Sequence, residues 1–101
     1  MRVLITGASG GIGAACVQRF LDEGHEVVGF DLLPVAIEHE RYRHLIVDVR
    51  EPDSFPGDLE PQVIVNVAGT QDSADDIAAN LRGTINVTEH YAFVGEGLAA
   101  K

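Results

Sequence analysis

Near its amino terminus the chain reads Thr6-Gly7-Ala8-Ser9-Gly10-Gly11-Ile12-Gly13. The apolar run Val3–Thr6 is typical of a buried strand, and the residues from Gly11 to about Glu23 place apolar side chains at helical spacing. Gly24 then predicts a left-handed cap that ends this helix. A strand, a glycine-rich turn and a helix in this order place free N–H groups where the two charges of a dinucleotide pyrophosphate can bind.

The spacing of the glycines within the turn is informative. The strict G-x-G-x-x-G pattern is absent, because Cys16 stands at its final position. The pattern present is T-G-x-x-x-G-x-G, with Gly7, Gly11 and Gly13. Glycines let the backbone turn tightly and approach a phosphate without a β-carbon in the way. A turn that binds nothing is the alternative interpretation, which the flanking strand and helix disfavour.

An acidic residue follows the second predicted strand, Glu26–Phe30. This residue, Asp31, comes eighteen positions after Gly13. A carboxylate there can accept hydrogen bonds from both hydroxyls of an adenosine ribose, and it repels a 2′-phosphate. Leu32 comes next, and the glycine turn has no basic residue. The sequence therefore favours NAD over NADP, with a solvated strand end as the alternative interpretation of Asp31.

The remaining pattern alternates short strands with helical or irregular segments. Residues 32–43 are ambiguous, and one helical turn after Pro34 is the only element that they suggest. The later predicted elements are a strand His44–Asp48, a loop Arg50–Pro61 with a brief helical turn, a strand Gln62–Val67, and a helix from Ser73 or Ala74 to about Phe93. This alternation predicts an α/β fold, a Rossmann-like open parallel sheet with flanking helices and the partial strand order 3-2-1-4.

The composition excludes several classes of protein. The 101 residues suit one small domain, and 16 acidic against 7 basic side chains leave a net charge of -9. Nucleic acids and anionic membrane surfaces need clustered Lys and Arg, so we expect neither as a partner. Cys16 is the single cysteine, which excludes an intrachain disulfide, and the histidines show no convincing metal-ligand spacing. Because no long apolar run is present, we expect a cytoplasmic chain with no membrane span.

Together the turn and Asp31 resemble the short-chain dehydrogenase/reductase family, and two later motifs extend the resemblance. Asp48-Val49 resembles the family's aspartate–aliphatic pair, which implies contacts to the adenine edge. Asn66-Val67-Ala68-Gly69 resembles its N-N-A-G signature, with valine at the second position, and implies a wall of the cofactor cleft. One set of residues is therefore expected at the cofactor: Thr6, Gly7, Ser9, Gly10, Gly11, Ile12, Gly13, Asp31, Leu32, Asp48, Val49, Asn66, Ala68 and Gly69.

Asn80 resembles the family's helix asparagine, which implies support of a proton relay. The interval between Gly69 and Asn80 is shorter than usual in the family, and residues 80–84, Asn-Leu-Arg-Gly-Thr, also resemble the extended epimerase-like branch. The family's acid–base unit is a tyrosine followed four residues later by a lysine. Here Ile46 and Gly95 stand four residues after the two tyrosines, and the sole lysine is Lys101. The resemblance thus implies that residues 1–101 are a single NAD-binding half-domain that is inactive alone, with the catalytic half absent.

Three interpretations of function follow. The first is the NAD(H)-binding portion of an oxidoreductase that moves hydride between NAD(H) and a small alcohol or carbonyl substrate. The second is a non-catalytic, truncated module that binds NAD or AMP, and the third is a structural remnant that binds nothing. A fourth strand at the edge of the sheet exposes unpaired backbone groups, so we expect a homo-oligomer or a poorly stable chain.

Overall fold

The computed structural model describes residues 1–67 and 74–92, and within them the side chains of 74–81 and 92 are not described. Four strands are formed: β1 (Arg2–Thr6), β2 (Glu26–Asp31), β3 (Tyr42–Ile46) and β4 (Val63–Asn66). Two α-helices accompany them, α1 (Gly11–Asp22) and α2 (Ala74–Ala92), with a short 3₁₀ turn at Pro52–Ser54. Across the described residues, neither helix combines the length and the apolar character needed to cross a bilayer.

The strands form one parallel sheet in the order β3-β2-β1-β4, which confirms the predicted strand order. In the register of this sheet Thr6 lies opposite Phe30 on one side and Asn66 on the other, and Asp31 lies opposite Ile46. All four strands run in the same direction, so their carboxyl ends meet at one edge. The polar residues that follow the strands in sequence are therefore gathered at that edge.

Successive residues of a strand point to opposite faces of the sheet, and a hydrophobic cluster covers each face. On one face Val3, Ile5 and Val27 pack with Val17 and Leu21 of α1. On the other face a second cluster joins the sheet to α2 and to the loop before β4, through Leu4, Phe30, Phe55, Leu59, Val87 and Tyr91. A sheet buried on both faces needs near-continuous apolar strands, which β1, β2 and β4 provide, whereas the edge strand β3 is mixed.

Two predictions for the middle of the chain were wrong. The third strand is Tyr42–Ile46 rather than His44–Asp48, because its pairing with β2 begins at Val27 and the last rung is the bond from Val47 N–H to Asp31 O. No helical turn forms after Pro34, where residues 34–39 are irregular. The carbonyl of Pro34 instead accepts a hydrogen bond from the Ser9 hydroxyl at 2.6 Å, which ties this segment to the glycine turn.

Two glycines outside the turn have clear structural roles, and the role of Gly24 is the one that the sequence predicted. Gly24 has a φ of +87°, the left-handed conformation expected at the end of α1. Gly83 lies buried inside α2, where a β-carbon would come within 2.5 Å of Val49 Cγ2. The missing side chain therefore allows α2 to approach the segment that follows β3.

Both tyrosines of the chain should titrate at unusually high pH. Burial and then the charge of Asp31 raise the pKa of Tyr42 to about 12, and burial and then Asp58 raise the pKa of Tyr91 to about 12. In the unfolded chain both phenols return towards their ordinary pKa of 10.0. The unfolded chain therefore loses these protons first, and the free energy of unfolding should fall as the pH rises from 10 to 12.

Tyrosinate absorbance followed against pH, with and without urea, measures this difference directly, since the chain has 2 tyrosines and no tryptophan. Half ionisation of the folded chain near pH 10 would show that neither phenol is shifted.

Candidate dinucleotide-binding site at the carboxyl edge of the sheet

The glycine turn is held in place by backbone contacts. Gly7 adopts a φ of +72°, which a residue with a β-carbon rarely adopts, and its N–H donates to Phe30 O at 2.8 Å. A β-carbon on Gly13 would overlap the carbonyl of Gly7. Gly7 and Gly13 are thus required by the close approach of α1 to the end of β1, before any ligand is considered.

The amino end of α1 is open towards the edge of the sheet. Gly10 is the N-cap residue, no side chain caps the helix among the described residues, and its first turn contains no acidic residue. The first N–H groups of a helix have no partner within it, and they carry the positive end of the helix dipole. A β-carbon on Gly11 would meet nothing within 4 Å, and Ile12 is 72% exposed. This end of the helix can therefore accept an anionic group against bare backbone.

Asp31 lies beside this helix end, at the last position of β2. Its Oδ2 accepts the backbone N–H of Ser9 at 2.9 Å, and its Oδ1 accepts the N–H of Leu33 at 2.9 Å. Each carboxylate oxygen can accept more than one hydrogen bond, so the group retains capacity for the hydroxyls of a ribose. The next residue, Leu32, is 58% exposed. The structure thus brings the predicted Asp31 and the glycine turn together.

Asp48 is also at this edge, and Arg50 holds it. The Arg50 side chain donates to both carboxylate oxygens, at 2.7 Å from Nη2 to Oδ2 and 2.9 Å from Nε to Oδ1, and its backbone N–H adds a bond of 2.9 Å to Oδ1. The side-chain hydrogen bonds from Arg50 lower the pKa of Asp48 below its ordinary value. Asp48 is therefore an ionised acceptor near neutral pH, fixed in one orientation.

Val49 and Asn66 contribute backbone and packing more than free polar groups. Val49 packs against Gly83, and its carbonyl accepts a hydrogen bond from Asn86 Nδ2 at 3.0 Å. The Thr6 hydroxyl donates to Asn66 Oδ1 at 3.3 Å. Thr6 is only 1% exposed, so it orients Asn66 from within the core and does not itself reach the surface of the site.

The side chains of three predicted site residues cannot be located in the part of the chain that the structure describes. Ala68 and Gly69 lie outside the described residues. Asn80 lies on α2, but its side chain is among those not described. Their roles therefore remain predictions from the sequence resemblance.

Three residues near the site were missed by sequence reasoning: Arg50, Tyr42 and His44. The hydrogen bonds from Arg50 to Asp48 could have been predicted locally, because the arginine follows the aspartate by two residues. Tyr42 and His44 are two residues apart on β3 and hydrogen-bond to each other at 2.8 Å. Their only signal was the i, i+2 spacing on a strand whose start the sequence placed too late.

A groove of about 280 Å³ opens at the opposite, amino edge of the sheet, between Arg2, Glu26 and Leu59. Two of its three arginines donate hydrogen bonds to carbonyls at 2.8 Å, Arg2 Nε to Glu60 and Arg41 Nη2 to Leu21, and Arg43 lies 3.8 Å from the carboxylate of Asp58. We therefore place the candidate site at the carboxyl edge, where the uncapped helix and the carboxylates lie.

A parallel sheet with the order 3-2-1-4, a glycine turn at the start of α1 and an acidic residue at the end of β2 define a Rossmann-like dinucleotide-binding fold. Residues 3–95 match the NAD dependent epimerase/dehydratase family, and the chain belongs to that family. The predicted short-chain dehydrogenase/reductase kind is confirmed at this general level, and so is NAD as the cofactor of the family.

Similar proteins agree with this assignment. The chain is 30% identical to UDP-glucose 4-epimerase of Mycolicibacterium smegmatis, over 94% of this chain and 36% of that protein. It is 36% identical to 3-beta-hydroxysteroid dehydrogenase of Mycolicibacterium neoaurum, over 89% of this chain and 23% of that protein. The crystal structure of the Bordetella bronchiseptica enzyme WbmH in complex with NAD+ matches with a TM-score of 0.76 and 25% identity, over 88% of this chain and 34% of that one. The chain thus spans about a third or less of the length of these relatives.

The open space at Gly11 predicts that binding and stability can be separated at this turn. Gly11→Ala should leave the melting temperature unchanged, because the new β-carbon meets nothing within 4 Å. The same β-carbon would occupy the space through which a pyrophosphate of NAD is expected to approach the start of α1, so NAD affinity should fall about tenfold. Gly13→Ala should instead lower the free energy of unfolding, through its overlap with the Gly7 carbonyl.

Gly57→Ala is the matched control, since Gly57 also faces open space but lies in the loop before β4. Calorimetric titration with NAD, beside thermal unfolding of each variant, makes the comparison. An NAD affinity of Gly11→Ala equal to that of Gly57→Ala would remove Gly11 from the site.

Proposed function

We propose that this chain is the NAD(H)-binding portion of an oxidoreductase that moves hydride between NAD(H) and an alcohol or carbonyl group of a small substrate. The observation that carries the proposal is the juxtaposition, at one edge of the sheet, of the uncapped start of α1 and the Asp31 carboxylate. A dinucleotide presents a pyrophosphate and an adenosine ribose in the same relation.

Each part of the cofactor has a chemically suitable partner in this proposal. The N–H groups of Gly11, Ile12 and Gly13 face the pyrophosphate, where the helix dipole favours negative charge. Asp31 accepts the ribose hydroxyls, and Leu32 lies beside them. Asp48 accepts a hydrogen bond from the adenine amino group, because its carboxylate is held ionised by Arg50. These contacts concentrate the binding energy on the adenosine side of NAD.

NAD supplies the hydride acceptor or donor when it is bound, and the protein must supply a proton donor. The described Tyr42 is not suited to that role, since its hydroxyl is bound to His44 and its pKa is raised to about 12. Tyr91 likewise donates its hydroxyl to the Pro56 carbonyl at 3.0 Å. We therefore propose that the 101 residues bind the cofactor but do not catalyse hydride transfer by themselves.

The substrate is proposed only as a class. The names of two relatives refer to UDP-glucose and to a hydroxysteroid. These two compounds are chemically unlike, but both carry a hydroxyl group on a ring carbon. An epimerase-like activity is compatible with the family and remains an alternative. The other alternative, a module that holds NAD or AMP without any catalysis, is favoured by the absence of a Tyr-x-x-x-Lys pair from the sequence.

Cofactor preference tests the role of Asp31. Titration of the chain with NAD, NADP and AMP by calorimetry should show NAD and AMP binding at least about tenfold more tightly than NADP. Asp31→Ala should weaken NAD binding by about tenfold or more, because hydrogen bonds to a charged acceptor are lost, and should abolish the preference.

Asp22→Ala serves as the control, since Asp22 is an exposed carboxylate at the far end of α1 that binds only Gln18 among the described residues. If Asp31→Ala kept the preference of the unmodified chain, Asp31 would not contact the ribose. If the folded, unmodified chain bound none of NAD, NADP and AMP, a structural remnant that binds no nucleotide would be the better interpretation.

We also propose that the chain self-associates. In the described sheet β3 and β4 are edge strands. Unpaired N–H and C=O groups on such an edge can pair with a second copy. Sedimentation velocity at several concentrations should therefore show dimers or larger species, and a stable, monodisperse monomer would contradict this proposal.

A further inference from the structure

A hydrogen-bonded pair on β3 reaches towards the ribose end of the site. Tyr42 and His44 are two residues apart, so both side chains lie on the face of the sheet that α1 covers. The Tyr42 hydroxyl is 2.8 Å from His44 Nδ1, and His44 Nε2 is 3.0 Å from the carbonyl of Leu33. The pair thus connects β3 to the segment that follows β2.

The direction of these bonds follows from the chemistry of the groups. The Leu33 carbonyl can only accept, so the proton of His44 lies on Nε2, which donates to it. In the neutral ring Nδ1 is then an acceptor, and the Tyr42 hydroxyl donates to it. One tautomer of His44 therefore satisfies both contacts together.

The chain of hydrogen bonds continues to the carboxylate of Asp31. Leu33 uses its carbonyl to accept from His44 and its N–H to donate to Asp31 Oδ1 at 2.9 Å. Asp31 Oδ2 accepts a hydrogen bond from the backbone N–H of Ser9. The side-chain hydroxyl of Ser9 in turn donates to the Pro34 carbonyl. Asp31 is thus held from both sides, by the glycine turn and by the segment anchored on His44.

The position of the tyrosine ring is itself fixed by a glycine. A β-carbon on Gly29 of β2 would overlap the Tyr42 hydroxyl and would come within 2.6 Å of the β-carbon of Ala8. The end of the tyrosine ring therefore lies over Gly29 and beside the glycine turn. This placement explains why a glycine stands in the middle of β2.

Polar contacts, more than apolar burial, hold residues 32–36, which follow β2 and are exposed; only Ile37, further on, packs against the core. Leu32 and Leu33 are 58% and 56% exposed, and Val35 is 47% exposed. Side chains so exposed contribute little burial energy to keep the backbone in one conformation. The bond from His44 to the Leu33 carbonyl is consequently a main constraint on the backbone of Leu33, the residue whose N–H also contacts Asp31.

We propose that Tyr42 and His44 are positioning residues that orient the Asp31 carboxylate and thereby set the preference for an adenosine ribose without a 2′-phosphate. This inference rests on the proposed function, and it extends the site to two residues that do not touch the cofactor. Loss of the pair frees the backbone at Leu33, whose N–H donates to Asp31, so Asp31 no longer presents a fixed acceptor to the ribose hydroxyls.

The test compares the dissociation constants of AMP and adenosine 2′,5′-bisphosphate by calorimetry. Tyr42→Phe keeps the ring over Gly29 and removes only the hydroxyl. It should weaken AMP binding about fivefold with little effect on the bisphosphate, so that the selectivity ratio falls about fivefold. His44→Leu should lower the ratio in the same way, whereas His44→Gln, which retains a donor and an acceptor, should preserve it.

Tyr91→Phe is the matched control. Tyr91 is a buried tyrosine on the opposite face of the sheet, and its hydroxyl donates to the Pro56 carbonyl. It should lower the melting temperature as Tyr42→Phe does but leave the ratio unchanged, which separates positioning from a general loss of stability. Wild-type selectivity in both Tyr42→Phe and His44→Leu would overturn this inference while leaving the proposed function intact. Absence of AMP binding by the unmodified chain would overturn the proposed function, and this inference with it.

Discussion

The close approach of α1 to the end of β1 is the constraint on which the site depends. Gly7 turns the chain through a left-handed conformation, and Gly13 lies so near the Gly7 carbonyl that no side chain fits between them. This contact fixes the direction in which the helix begins. The uncapped N–H groups of α1 consequently face the same edge at which β2, β3 and β4 end.

Two carboxylates are held at that edge in different ways. Asp31 accepts hydrogen bonds from neutral backbone groups, Ser9 N–H and Leu33 N–H, which orient it without neutralising its charge. Asp48 is gripped by the guanidinium of Arg50, which keeps it ionised and compensates its charge locally. At the position proposed for the ribose the negative potential therefore comes mainly from Asp31, and this is the charge that a 2′-phosphate bound there would meet.

The sequence was sufficient wherever the cause is local. The left-handed Gly24, the glycine turn and the position of Asp31 at the end of β2 follow from backbone sterics and from residues adjacent in the chain. The start of β3 was wrong because Tyr42 joins the sheet through Val27, fifteen residues earlier, and its own neighbours do not signal a strand. The contact between Tyr42 and Gly29 was not predictable for the same reason, since it joins adjacent strands whose register the sequence does not reveal.

The central position of β1 affects how the chain folds during synthesis. Val3 pairs with Val27 on one side and with Val63 on the other, so β1 is flanked by strands that leave the ribosome later than it does. At about 5–20 residues per second, the sixty residues between Val3 and Val63 take roughly 3–12 s to appear. Until β4 is made, the N–H and C=O groups on the edge of β1 that pairs with β4 have no strand to pair with. The nascent chain therefore exposes a strand edge of the kind that chaperones protect from aggregation.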